Sequence, residues 1–494
     1  MPSHKVLCMN TPSTWFSRRM SRLLAPASAT AAAADATASS TPDASAPPRT
    51  TQERLQATLR RGNEALAPRA LRRLLAELQA IADPLMSDIE AGKYAQAIAH
   101  WYDRATPEAR YDMWLLLCEQ FAPDAQQLSS AYERYTTASA TTDRLRAEMQ
   151  LRRAMTSPRT RLLQRCAVFP QGVRFLVDLR AELLPHLRKD PRLQALDAEL
   201  EHLFASWFDV AFLELRRLSW DSPASLLEKL IRYEAVHDIR SWADLKNRLD
   251  SDRRCYGFFH PRLPDEPLIF VEVALVRDIS TSITPLLDES AAHQDIAQAQ
   301  TAIFYSISNT QTGLRGVSFG NSLIKHVVET LSAEFPRLRT FATLSPIPGF
   351  RHWLSSNAAR MLEQVDEKAL LELQRALDLP TLDTAQFLQA AEQALDPQAP
   401  APLRQMLMLC AAHYLGQTLV HGKPADPVAR FHLSNGARIE QLNWAADPSS
   451  KGMKQSYGLM VNYLYDLQRM DRHRTELSQG QIPMSKKLQV LLRN

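Results

Sequence analysis

From about residue 53 to residue 250, apolar positions recur three and four apart, as in ALRRLLAELQAIADPLM and PASLLEKLIRYEAV, with strong helix formers filling the gaps. The spacing predicts an all-helical bundle. Asp221, Ser222 and Pro223 open one segment with capping residues and a proline suited to the first turn. Only three of the 14 glycines precede residue 250, which suits a bundle with few turns of positive φ. Beyond residue 250 the texture changes to β-branched and aromatic runs at 266–276, 301–308, 339–345 and 458–465, which read as buried strands. Between the second and third runs, Leu323, Ile324, Val327, Val328 and Leu331 form one apolar helical stripe, ended by Pro336. Strand, glycine-bearing loop, helix, strand is an α/β unit with a ligand site expected at the loop. A further helical stretch, about 360–418, reads as an insertion before the last strands.

A chain of 494 residues exceeds what one core usually organises, so a multidomain α+β protein is expected. Its parts are a disordered segment over 1–52, a helical domain over 53–250 and a catalytic domain over 251–494. Residues 1–52 are dominated by Ala, Ser, Thr and Pro and cannot bury enough apolar surface to offset their ordering entropy. Arg18, Arg19 and Arg22, with no acidic residue before Asp35, also suit an organelle transit peptide, although biased composition gives the same look. The net charge of +4 is spread along the chain and argues against nucleic acid as a partner. No apolar run approaches the roughly 18 residues of a membrane-spanning helix. Cys8, Cys118, Cys166, Cys255 and Cys410 lack CxxC spacing, so neither a zinc site nor a disulfide framework is indicated, and a reducing compartment fits.

Three places carry candidate chemistry. In NTQTGLRGVSFGN (309–321), Gly313, Gly316 and Gly320 stand where a strand gives way to a helix, and glycines there let backbone N–H groups approach an anion. The spacing matches neither a Walker loop nor GxGxxG, and on glycine spacing alone an ordinary strand-to-helix turn is the favoured account of it. Ser345 ends a strand just before Pro346 and Pro348, where rigid backbone would hold a hydroxyl in place; a plain turn serine fits as well. His432 lies on a short helix capped by Asp426, begun by Pro427 and stopped at Asn435-Gly436. None of the 13 histidines has metal-ligand spacing, and a structural role suits His432 on this evidence alone.

Taken in order, YEAVHDI, AIFYSISNTQTGLRGVSFGNSLIKHVVETL, FPRLRTFATLSPIPGF, FHLSNGA and GLMVNYLY resemble the malonyl-CoA decarboxylase family, over about residues 218–466. The resemblance implies a GNAT-like α/β catalytic domain with a helical insertion, preceded by a helical domain that forms a homo-oligomer, a dimer or tetramer. It implies that Arg315, Gly316, Val317, Ser318, Phe319, Gly320 and Asn321 bind coenzyme A, with Ser345 and His432 as catalytic and substrate-binding residues. Malonyl-CoA would become acetyl-CoA and carbon dioxide, as in fatty acid and malonate metabolism. The thioester is the electron sink, so no cofactor and no metal is required. In one reading His432, with an ordinary pKa near 6.5, supplies the proton to C2 and orients Ser345; a serine donor fed by the histidine is equally compatible. The ending LLRN lacks the Ser-Lys-Leu signal of animal members, which suggests a cytoplasmic enzyme. An acyl-CoA-dependent acyltransferase of the same fold is the alternative, and a non-catalytic CoA-binding module would be favoured if Ser345 and His432 lay far apart.

Overall fold

Helix boundaries in the first part of the chain follow local side-chain chemistry. Ser87, Thr106, Asp124 and Ser157 each stand at an N-cap and accept a bond from a backbone N–H in the first turn, and Pro107 and Pro158 follow at positions that need no donor. The computed structural model describes residues 66–317, 323–396 and 399–492, so the expected 1–52 segment and its transit-peptide reading lie outside the described residues.

The chain forms two compact units, one running to Trp207 and including Thr312–Val317, the other made of Phe208–Gln311 and Ser318 onward. In the first unit, helices from Pro68–Ala82 to Gln194–Trp207 bury Leu71, Leu78, Ile81, Leu116, Leu176, Leu200 and Phe204. A hairpin of Ala125–Thr137 and Thr141–Met155 buries little beyond Ala131 and Ala147.

The second unit begins at Phe208, and residues of the 208–250 stretch pack with the sheet. Glu214–Leu218 is a strand, β1, where a helical segment was expected. It pairs antiparallel with β2 (Arg253–His260). The helices Ala224–Tyr233 and Trp242–Arg248 then bury Leu227, Leu230 and Leu245 against Leu218, Phe259 and Phe270. Pro223 is itself the N-cap of the first of these helices, and Ser222 Oγ accepts from Ser219 N instead of capping it.

The sheet continues through β3 (Leu263–Val276), β4 (Thr301–Asn309), β5 (Thr340–Thr343) and the two-residue β6 (Ser345–Pro346). A separate ribbon is formed by β7 (Leu419–Val420) and β8 (Lys423–Pro424), before β9 (Arg438–Asn443) and β10 (Met460–Leu464) return to the main sheet. Its order is β1-β2-β3-β4-β5-β10-β6, with β9 also pairing β10. Strands β1 to β4 are antiparallel, and β4 and β5 run parallel. Strand β2 and the end of β3 are buried throughout, which is why their apolar runs are continuous rather than alternating. The Leu323–Glu334 helix connects the parallel pair and buries all five residues of its predicted stripe. Four helices between Phe350 and Gln417 form the insertion, beginning about ten residues before the expected 360 because Gly349 caps a helix directly after the Pro346–Pro348 turn. This is an α+β architecture, a helical region followed by a mixed-sheet domain.

Candidate active site

Ser345 is fixed by its strand. Val461 on β10 is its register partner, and the preceding Leu344 N–H donates to Phe304 O on β4. Its side chain is buried, and Oγ donates to Thr343 Oγ1 at 2.9 Å.

His432 comes from the Pro427–Ser434 helix, whose ends are as the sequence predicts. Asp426 Oδ1 accepts from Val428 N and Ala429 N at 2.9 and 3.0 Å, which fixes the first turn. The helix stops at Asn435, and Gly436 takes φ +88° where Met470 leaves no room for a Cβ. In the last turn His432 is 3% exposed, with its ring stacked 4.6 Å from that of Tyr463.

The two residues meet: Ser345 Oγ lies 3.2 Å from His432 Nε2, and His432 Nδ1 lies 2.7 Å from Tyr465 Oη. The tautomer of the His432 ring sets the direction of this chain, and the serine bond to Thr343 selects it. The single serine proton is engaged with Thr343 Oγ1, so the Ser345–His432 contact requires Nε2–H as donor; Nδ1 is then bare and accepts the Tyr465 O–H. Thr343 Oγ1 also accepts from Tyr463 N, and Asn462 Nδ2 donates to Thr343 O. Asn462 is itself held by Gln441 and Asn443.

Burial sets the electrostatics. It pushes the His432 pKa down to about 3, so the ring is neutral near pH 7 and not the partly protonated imidazole that an ordinary value near 6.5 would give. It pushes the Tyr465 and Tyr463 phenols up. The Tyr463 hydroxyl is buried and has no hydrogen-bond partner among the described residues. Thr343, Tyr463 and Tyr465 were not singled out from sequence. The only available signal was the phase of the 458–465 strand, which brings alternate residues to one face.

The glycine loop is described in part. Thr312–Leu314 is a 3₁₀ turn, Arg315 is exposed, Gly316 takes φ +86° and Val317 is buried. These residues belong to the first unit. Ser318, Phe319, Gly320 and Asn321 lie outside the described residues. Among the described residues no group of three or more His, Cys, Asp or Glu side chains is arranged to hold a metal ion, and no helix is long and apolar enough to cross a membrane. Cys118, Cys166, Cys255 and Cys410 are free thiols.

Comparison with known proteins decides the family. The sequence model of the malonyl-CoA decarboxylase C-terminal domain matches residues 211–494, and that of the malonyl-CoA decarboxylase N-terminal domain matches residues 121–208. The chain belongs to the malonyl-CoA decarboxylase family. The mouse mitochondrial malonyl-CoA decarboxylase is 36% identical over 394 residues, 76% of this chain and 80% of that protein. The crystal structure of malonyl-CoA decarboxylase from Rhodopseudomonas palustris is 40% identical with a TM-score of 0.74, covering 85% of this chain and 99% of that one. That from Cupriavidus metallidurans is 42% identical with a TM-score of 0.69, covering 86% and 100%. Membership makes the chain an enzyme, a decarboxylase, in preference to the acyltransferase alternative. The boundary between the two domain models falls beside Trp207 and Phe208, where the two units divide.

Proposed function

We propose that the chain decarboxylates malonyl-CoA through Ser345 and His432, with Arg315, Gly316, Val317, Ser318, Phe319, Gly320 and Asn321 holding the coenzyme A phosphates. The observation that carries this reading is the hydrogen-bonded chain from Tyr465 through His432 to Ser345. The C2–carboxylate bond breaks, carbon dioxide leaves, and its electron pair passes into the thioester as an enolate. The Ser345 O–H then turns from Thr343 to C2 and gives up its proton. His432 Nε2–H replaces that proton while Nδ1 takes the Tyr465 proton and the tyrosine regains one from water; before the next turnover the ring returns to its Nε2–H tautomer, Nε2 taking a solvent proton once product has left and Nδ1 returning one through Tyr465. One solvent proton is consumed per turnover, and acetyl-CoA is released.

A neutral His432 favours this order over direct donation by an imidazolium. None of the four side chains in the chain carries a fixed positive charge. A cation beside the departing carboxylate would hold the ground state more firmly than the transition state, where that charge has moved towards the thioester, and would slow the reaction.

Incubation with malonyl-CoA as sole substrate, followed by mass spectrometry, tests the reading. Acetyl-CoA should accumulate, and Ser345→Ala and His432→Asn should abolish most of it; full activity in both variants would remove the pair from the mechanism.

Two further parts of the proposal concern context. Self-association is assigned to the helical unit, where Tyr132, Leu145 and Met149 of the Ala125–Met155 hairpin are more than half exposed. Sedimentation of Leu145→Glu/Met149→Glu should show smaller particles than the parent, and unchanged particles would move the interface elsewhere. A cytoplasmic site is assigned in contrast to the mitochondrial naming of the mouse relative, and cell fractionation decides between them.

A further inference from the structure

Arg180 is the feature of the helical unit that the chemistry above leaves unused. It lies on the Gly172–Leu183 helix and is 1% exposed, a charge that must be fully engaged. Its Nε donates to Asp197 Oδ1 at 2.7 Å, and its Nη2 reaches Glu201 Oε2 at 3.4 Å. Asp197 and Glu201 stand one turn apart on the Gln194–Trp207 helix and so fix the guanidinium plane. Nη1 keeps two N–H groups, and both are spent on the glycine loop: one donates to Gly313 O at 2.8 Å and the other to Arg315 O at 2.9 Å.

The loop is shaped to receive this fork. A Cβ on Gly313 would lie 1.9 Å from Val177 O on the Arg180 helix, so glycine is required for close approach. At Gly316 a Cβ would meet only Glu201 Oε1 at 4.0 Å, so space is available and glycine is required for its φ of +86°. No peptide bond in the described chain is cis, and in a trans peptide the carbonyl of one residue and the N–H of the next point to opposite sides of a plane. Holding Arg315 O on Arg180 therefore turns the Gly316 N–H away from the guanidinium. The positive charge on the carbonyl also polarises that peptide and makes its N–H a stronger donor.

We propose that Arg180 is a positioning residue for the substrate: by pinning the Gly313 and Arg315 carbonyls, it presents the Gly316 amide to a phosphate of coenzyme A. The inference rests on the reading of residues 315–321 as the coenzyme A loop. Arg180 does not touch substrate; it acts through the loop backbone.

The test compares malonyl-CoA with malonyl-pantetheine, the same thioester without phosphates or nucleotide, on the full-length enzyme. Arg180→Lys keeps the buried charge beside Asp197, but an ammonium cannot serve both carbonyls and both carboxylates in the fork's plane. Losing one or two charge-assisted bonds should lower kcat/KM for malonyl-CoA about 10- to 100-fold, mainly through KM, with a far smaller loss on malonyl-pantetheine. Equal losses on both substrates, or no loss on either, would overturn the proposal, since a merely structural role does not distinguish the two thioesters. If Arg180→Lys melts far below the parent, Asp197→Asn loosens the same fork and should show the same selectivity. Gly316→Val separates the two ideas. Should it weaken both substrates alike, the loop reading itself fails; should it be selective while the Arg180 and Asp197 variants are not, only the role of Arg180 falls.

Discussion

The sheet holds two buried polar networks built on opposite principles. Around Ser345 and His432 the groups are neutral: two hydroxyls, an imidazole that burial keeps unprotonated, and a phenol. On β3 and β4 the network is ionic. Arg248, 1% exposed, donates to Asp244 Oδ1 at 2.8 Å and to Glu272 Oε2 at 3.1 Å, while Glu234 accepts from Ser306 and Ser308 and from the N–H groups of Val236 and His237. Burial pushes the Glu272 pKa up to about 8, and the neighbouring Glu234 adds to the rise. The ionic network, centred on the Arg248 charge, joins the Trp242–Arg248 helix to β3 through hydrogen bonds to Asp244 and to Glu272, which its raised pKa keeps largely protonated near pH 7. The neutral one has no fixed ion to rearrange as charge moves from a carboxylate to a thioester oxygen. One network is therefore read as architecture and the other as chemistry, and substitutions should separate them.

The largest effects belong to the neutral network. His432→Asn and Ser345→Ala should each lower kcat by about 10²- to 10⁴-fold, the range for losing general acid–base catalysis, with little change in melting temperature. Steady-state kinetics on well-folded variants checks this, and retention of near-parental kcat would move the chemistry elsewhere. In the ionic network the signature reverses. Arg248→Met strands Asp244 and Glu272 and should destabilise the fold by about 3–5 kcal/mol, measured by denaturant titration, while the folded fraction keeps its kcat. A specific loss of kcat at unchanged stability would erase the distinction.

Tyr465→Phe should be milder. It leaves His432 Nδ1 without its donor and frees the tautomer, at a cost of about 1–3 kcal/mol, so kcat should fall roughly 5- to 150-fold. Parental kcat in that variant would place Tyr465 outside the proton path.

The smallest effects are in pH dependence. Because the His432 pKa sits near 3, kcat/KM should show no His432 ionisation near pH 6.5; a limb there that vanishes in His432→Asn would contradict the neutral ring. Glu272 behaves differently. Its pKa is raised on folding, so its stabilising contribution is complete below the unfolded value of 4.5 and is lost as pH rises through about 8. Glu272→Gln should therefore gain stability relative to the parent across that interval. A difference in stability that stays constant with pH would leave Glu272 unperturbed.

How much of this was legible depended on distance along the chain. The His432 helix was readable to its ends because Asp426, Pro427 and Asn435-Gly436 act within a few residues of where they stand. The Leu323–Leu331 stripe was readable because helical period and burial coincide. Strand β1 was not, since ELRRL is short and mostly polar and is ordered by pairing with β2, about 40 residues later in the chain. Ser345 and His432 are 87 residues apart, and their pairing came from family resemblance, with no local signal for it. The depressed pKa of His432 was hidden for the same reason, because its cause is burial by distant segments. Tyr465 read as one more aromatic at a strand end, and the grip of Arg180 on Gly313 spans 133 residues.

The claim that Ser345 and His432 form one neutral proton-handling unit is tested most directly by kcat of the double variant Ser345→Ala/His432→Asn against both single variants, with chemistry limiting turnover in each. Groups acting as a unit lose their function together, so the account predicts a double variant little slower than the slower single one. A loss equal to the product of the two single losses would mean that the serine and the histidine act independently and would contradict the account.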